Sequence, residues 1–187
     1  MPPKVKITRE EIVHAAVDLV RKAGEQAINA RMVAAMLNCS TQPIFSNFAS
    51  MDQLRMAVVE AADEMCNDYL SREVAAGKLP PYKASGMAYI RFAKEERELF
   101  KLLYMRDRAG EVAPKELELS SQMSGIIHST TGLDGETMKL FHLEMWAYVH
   151  GIATMFATGY LDLEWDVIAN MLTDSYQGMR KQYGIGG

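Results

Sequence analysis

Gln42 and Asn47 are amide side chains five residues apart, and Thr41 directly precedes Gln42. An amide carries a donor and an acceptor side by side, which is the pattern that matches the N6/N7 edge of adenine in a DNA major groove. Thr41 can touch a thymine methyl or a phosphate. The plainer alternative makes Thr41 and Gln42 surface residues of a helix's first turn and nothing more. No Lys or Arg occurs between Arg31 and Arg55, so this stretch must act through uncharged groups. Phosphate attraction then falls to Arg31, to the short arm carrying Lys4 and Lys6, and to helix dipole ends.

A second set of residues points to ligand chemistry. Met138, His142, Trp146, His150 and Thr154 recur every four residues, on one slowly turning helix face. The two histidines are therefore about 12 Å apart along a helix axis and cannot share a metal from a straight helix. Part of this stripe is expected to line an apolar pocket with Tyr89, Phe92, Tyr104 and Met123, holding a few polar anchors. The competing reading is core or interface packing with satisfied imidazoles. Glu144 stands among apolar neighbours. It would either meet a cationic ligand or pair with an Arg such as Arg91, and burial favours the pair. The 14 Met residues suit a plastic, broad-specificity cavity or simply a Met-rich core.

Enzymatic chemistry finds little footing. Glu11-Ile12-Val13-His14 has the spacing of a carboxylate di-iron helix, but such sites need two of these motifs and only one is present. There is no Gly-rich phosphate loop and no CxxC pair. No catalytic residue, cofactor or metal is expected.

The elements that must position these residues read as helix throughout. Thr8 to Glu11 is a capping box, followed by Ile12, Ala16, Leu19, Val20 and Ala23 at helical spacing and a stop at Gly24. Asn29 caps a short helix with Val33, Ala34 and Leu37 inward. Asn38 takes the left-handed position of the turn, Cys39 plugs it, and Ser40 is expected to cap the next helix. Pro43 fits that helix's first turn, with Ile44 and Phe48 inward and Phe45 and Ser46 outward. Ser50 to Gln53 opens a long helix that runs to about Ala76. Further helices are expected over Tyr82–Lys94, Leu99–Met105, Lys115–Thr130, Asp134–Thr158 and Glu164–Tyr183, with a loop over Arg106–Pro114 and a frayed GIGG tail. The 134–158 helix is apolar almost all round, which implies burial on more than one face. The fold class is all-α, with about nine helices.

Composition agrees with a globular chain of 187 residues, 49% hydrophobic and 24% charged. No apolar run spans a membrane, and MPPKVKITREE has no apolar signal core, which points to the cytoplasm. Cys39 and Cys66 lack a paired spacing and are read as reduced thiols. Residues 1–48 hold six Lys/Arg against four Asp/Glu, a net +2 that leaves −6 for the rest of a chain at −4. A mildly basic head on an acidic body suits DNA binding, though chance asymmetry would look the same.

These features resemble the TetR family of one-component transcriptional regulators. The resemblance rests on Gly24, Val33-Ala34, Ser40, Phe45-Ser46-Asn47-Phe48 and Asp52-Gln53-Leu54, in order and spacing over residues 8–62. Further on, Arg91-Phe92-Ala93, Glu98-Leu99-Phe100 and Trp146-Ala147-Tyr148-Val149-His150-Gly151 are similar to a ligand-domain subgroup with a Trp-x₃-His-Gly motif. The resemblance implies a helix-turn-helix head over 1–50 and a ligand-binding and dimerising bundle over 51–187. It also implies a homodimer on a near-palindromic double-stranded operator. Phe156, Ile168, Met171 and Tyr176 are the expected dimer contacts from the last two helices. The family usually carries Tyr, His, Gly and Lys where this chain has Phe45, Asn47, Asn38 and Met51. The implied function is a ligand-responsive DNA-binding regulator, a repressor released by a small apolar or aromatic effector. The alternative is a helical small-molecule binding protein with weak or lost DNA binding.

Overall fold

Every regular element in the described part of the chain is helical, as the periodicity predicts. The computed structural model describes residues 7–106 and 119–186. Among them are nine α-helices, one 3₁₀ turn and no strand. Lys4 and Lys6, the stretch 107–118 and the last residue lie outside the described residues.

Helix α1 (Arg9–Ala23) starts where the capping box predicts. The Thr8 N–H donates to Glu11 Oε2 at 2.8 Å, and Thr8 Oγ1 accepts from the Glu11 N–H at 3.2 Å. Glu11 is thereby engaged in the cap. Ile12, Ala16, Leu19 and Val20 are buried on one face. The helix stops at Gly24, whose φ of 79 and ψ of 175 lie in a region open essentially to glycine alone. A Cβ there would also sit 2.9 Å from the Gln26 side chain. Gly24→Ala should therefore cost about 1–3 kcal/mol of stability. An unchanged urea midpoint would contradict that assignment.

A 3₁₀ turn (Glu25–Ala27) leads to α2 (Ala30–Met36), α3 (Gln42–Asn47) and α4 (Met51–Ala75). Ser50 Oγ caps α4 by accepting from the Gln53 N–H at 3.2 Å, while Gln53 Oε1 accepts from the Ala49 N–H at 2.7 Å. Helices α5 (Pro81–Glu95), α6 (Arg97–Tyr104), α7 (Ser121–Thr131), α8 (Gly135–Thr158) and α9 (Trp165–Gln182) complete the chain. Of the helix expected over Lys115–Thr130, residues 115–118 lie outside the described residues, and α7 begins at Ser121, where Ser120 caps it by accepting from the Met123 N–H at 3.1 Å. No helix among the described residues is long and apolar enough to cross a membrane.

The chain forms two compact units: Met1–Asn67 with Glu96–Arg106, and Asp68–Glu95 with Asp107–Gly187. In the first, α6 packs on α1, and Arg21 grips Glu96 with two bonds of 2.9 Å. In the second, α5 and α8 form the most extensive helix pair. Phe141 lies at 0% exposure, with Tyr183 edge-on at 5.3 Å and Tyr176 edge-on at 6.1 Å. The tail is not wholly frayed as predicted: Ile185 packs against the cluster of Tyr82, Ile127, Phe141 and Met145. Helix α8 buries one face through Phe141, Met145, Val149, Ile152 and Phe156. Some of its outward apolar residues are uncovered within the protomer, among them Leu140 at 51% and Leu143 at 41% exposure.

Candidate functional site

The turn between α2 and α3 is built as the residue types require. Asn29 Oδ1 accepts from the Met32 N–H at 3.0 Å and starts α2. Asn38 has φ 50, the one positive φ outside glycine among the described residues. With the chain turned there, the Cys39 N–H reaches back to Ala34 O at 2.9 Å and the Asn38 N–H to Ala35 O at 3.2 Å. These two bonds are a full Schellman stop, which satisfies orphan carbonyls of α2 and fixes the exit direction. Val33, Ala34, Ile44 and Phe48 are buried and lock the two helices into the first unit. Ser40 is not the side-chain cap predicted: Thr41 occupies the cap position of α3 with αR geometry, and no side-chain cap bond forms. Pro43 in the first turn has no N–H to satisfy, so the helix starts without one.

The surface of α3 is narrower in chemistry than its sequence suggests. Gln42, Phe45 and Ser46 are exposed, and Thr41 and Asn47 are half-buried. The Ser46 hydroxyl donates to Gln42 O at 2.9 Å. The Asn47 amide donates to Pro43 O at 2.8 Å and, more weakly, to Ile7 O at 3.5 Å. Asn47 is thus engaged within the fold, where it ties α3 to the start of α1. Arg9, which the sequence reading passed over, completes that tie. It donates to Asn47 O at 3.3 Å and lies 4.1 Å over the Phe48 ring. Arg31 is exposed on the first turn of α2.

In the second unit the histidine stripe meets tyrosines of α5. Tyr82 Oη lies 2.9 Å from His142 Nδ1, and Tyr89 Oη lies 2.9 Å from His150 Nδ1. Trp146 stacks on His150 with centroids 4.8 Å apart. Two turns of α5 therefore face two turns of α8 through a pair of phenol–imidazole rungs. Tyr82 was not singled out from sequence. Its signal was available: Tyr82 and Tyr89 are seven residues apart, nearly the eight that separate the histidines. Phe92 is fully buried and packs edge-on against Tyr69 at 5.3 Å, and Met123 borders the Phe141 cluster. Tyr104 belongs to the first unit, where its hydroxyl lies 3.8 Å from Cys66 Sγ. Burial pushes the Cys66 thiol up to about 12, so it is a packing thiol.

Burial holds His142 down to about 4 and lowers His150 as well. A neutral ring is thus the folded form at pH 7. In the Nε2–H tautomer the phenol donates and Nδ1 accepts. The sign follows from linkage, since the unfolded ring titrates near 6.5 and binds protons that the folded ring refuses. Stability is undiminished above about pH 6.5. It should fall by on the order of 3 kcal/mol as pH drops toward 4, where the folded ring protonates too. Denaturant midpoints of the wild type and His142→Gln across pH 4–7 check this. Parallel curves would contradict it.

Glu144 is exposed and accepts from Tyr183 Oη at 2.8 Å rather than from Arg91, whose guanidinium lies 3.1 Å from Glu73. Position 144 falls off the core face set by Phe141, Met145 and Val149, which is why the burial argument fails there. Of the expected dimer residues, Phe156 and Ile168 are buried inside the protomer at 1% and 0% exposure. Phe156 is stacked on Trp165 with the ring planes 2° apart. Met171 and Tyr176 are half-buried. The outward apolar residues of α8 and α9 are instead Leu140, Leu143, Tyr148, Met155 and Val167. No cluster of three or more His, Cys, Asp or Glu among the described residues could hold a metal ion.

Residues 82–175 match the family model of the tetracyclin repressor-like C-terminal domain. The chain is 24% identical to the HTH-type transcriptional regulator Rv0681 of Mycobacterium tuberculosis, over 97% of its own length and 86% of that protein's. A TetR-like transcriptional regulator from Rhodococcus sp. RHA1 superposes with a TM-score of 0.63 at 18% identity, covering 92% of this chain and 93% of that one. A protein of unknown function from the same organism superposes with a TM-score of 0.71 at 21% identity, over 100% of both chains. A TetR family member from Streptomyces coelicolor A3 gives a TM-score of 0.63 at 17% identity, over 89% of this chain and 96% of its own.

Proposed function

Because the chain belongs to the tetracycline-repressor-like (TetR) family of transcriptional regulators, we propose that it represses transcription by binding DNA and is released by a small apolar or aromatic effector. The observation that carries this reading is the locked α2–turn–α3 arrangement, which presents Gln42 on the outer surface of α3. In this reading residues 1–50 are the head that meets DNA, and residues 51–187 sense the effector and dimerise. Helix α3 enters the major groove, where Gln42 and Thr41 read bases. Lys4, Lys6 and Arg31 meet phosphates, while Ser40 and Ser46 border the groove. A DNA target supports a cytoplasmic location in this reading.

The uncovered apolar face of α8 supports a homodimer, because an exposed apolar stripe gains by burial against a second copy. A two-fold dimer presents two copies of α3, so the operator is a near-palindrome with half-sites about one helical turn apart. The effector is proposed to enter beside the Tyr89–His150–Trp146 group, where a stacked indole and a phenol offer an aromatic wall with two polar anchors. It shifts the DNA-binding equilibrium by no more than its differential affinity for the two states.

Footprinting on the region upstream of the chain's own gene at low salt tests the DNA reading. Protection of two half-sites supports it. Three cationic side chains per protomer give a log–log salt slope of about −5 for the dimer, and a slope beyond about −10 would contradict that inventory. The absence of Lys and Arg from α3 favours one second reading, a helical small-molecule binding protein without DNA affinity. Lack of protection at low salt would favour it.

A further inference from the structure

The geometry points to Phe45 as the residue that selects thymine, through contact with its 5-methyl group, beside an adenine read by Gln42. This rests on the DNA reading above and sharpens it. Helix α3 has only six residues, and two of its polar side chains are already used inside it: Ser46 on Gln42 O and Asn47 on Pro43 O. Ile44 is fully buried. Besides the internally bonded Ser46, α3 turns outward Gln42 and, one turn on, Phe45, which is 54% exposed. Residues three apart on a helix share a face, with Cβ atoms about 5–6 Å apart, so one amide and one apolar ring lie side by side.

An exposed phenyl ring has no hydroxyl to give a phosphate and no charge to attract one. It can only gain by losing water against another apolar group. In the major groove the one apolar group on a base edge is the thymine 5-methyl. Gln42 supplies the donor–acceptor pair that adenine requires, and Phe45 supplies the surface that distinguishes thymine from cytosine. Together they specify A·T pairs at neighbouring steps, without any cation on the helix.

Deoxyuridine removes that methyl and leaves base pairing intact. The duplex protected in the footprint is resynthesised with deoxyuridine at one thymine per half-site in turn, and its affinity is measured for the wild type and Phe45→Ala. One thymine position should cost the wild type about fourfold per half-site, roughly ten- to twentyfold for both, the size of one buried methyl. The same change should leave Phe45→Ala unaffected, since the partner ring is gone. Circular dichroism checks that this exposed-site variant is folded. The inference is overturned if no thymine position costs affinity, or if the loss is equal in Phe45→Ala. The DNA reading survives either of those outcomes. It fails only if neither protein binds the duplex at low salt.

Discussion

Gln42→Ala should remove most of the sequence-specific DNA affinity while leaving the fold intact. The side chain is exposed on α3, and the bond that stabilises its turn uses the Gln42 carbonyl, which the substitution keeps. A bidentate amide–adenine pair is worth about 1–3 kcal/mol, so two half-sites lose about 4 kcal/mol, roughly a thousandfold in affinity. Binding to a scrambled duplex should hardly change, because that term comes from phosphates. Anisotropy titrations on the protected and scrambled duplexes read both quantities. An equal loss on the two would show that Gln42 acts on the backbone or the fold instead.

Phe141→Ala should be the most damaging single change to the second unit. The ring is at 0% exposure, flanked by Tyr82, Tyr176 and Tyr183, and removing it leaves a cavity that three aromatic neighbours cannot all fill. The expected cost is about 3–5 kcal/mol. That is a large part of the roughly 5–15 kcal/mol that holds such a chain folded. At this length each kcal/mol corresponds to about 2–4 °C, so Tm should fall by roughly 6–20 °C. Phe141→Leu refills much of the space and should lose far less. A Phe141→Ala protein melting within about 3 °C of the wild type would contradict the burial described here.

The legible part of this protein was its local chemistry. The Thr8–Glu11 box, Gly24, Asn29, Asn38 and the order of apolar positions dictate helix ends through contacts a few residues apart, and these lie where the spacing predicts. What could not be read is which partner a polar side chain chooses across the fold. Asn47 looks like a free amide in sequence, yet Pro43 O and Ile7 O occupy it. Glu144 looks buried beside its apolar neighbours, yet it lies off the core face and accepts from Tyr183. Phe156 and Ile168 have the right type for an interface, but hydrophobicity cannot say whether a residue faces its own core or a partner's. The histidine stripe shows both sides of this. Its four-residue spacing was visible on α8, and its meaning depended on Tyr82 and Tyr89 of α5.

In the proposed function a short, cation-free α3 reads DNA in pairs. Selection from a pool of randomised duplexes at low salt, followed by sequencing, tests it most directly. The selected pool should be enriched in an inverted repeat whose half-sites carry adjacent A·T pairs and lie about one helical turn apart. Enrichment that vanishes with Gln42→Ala would complete the case. A pool that stays random after repeated rounds would contradict the account and leave a helical ligand-binding protein.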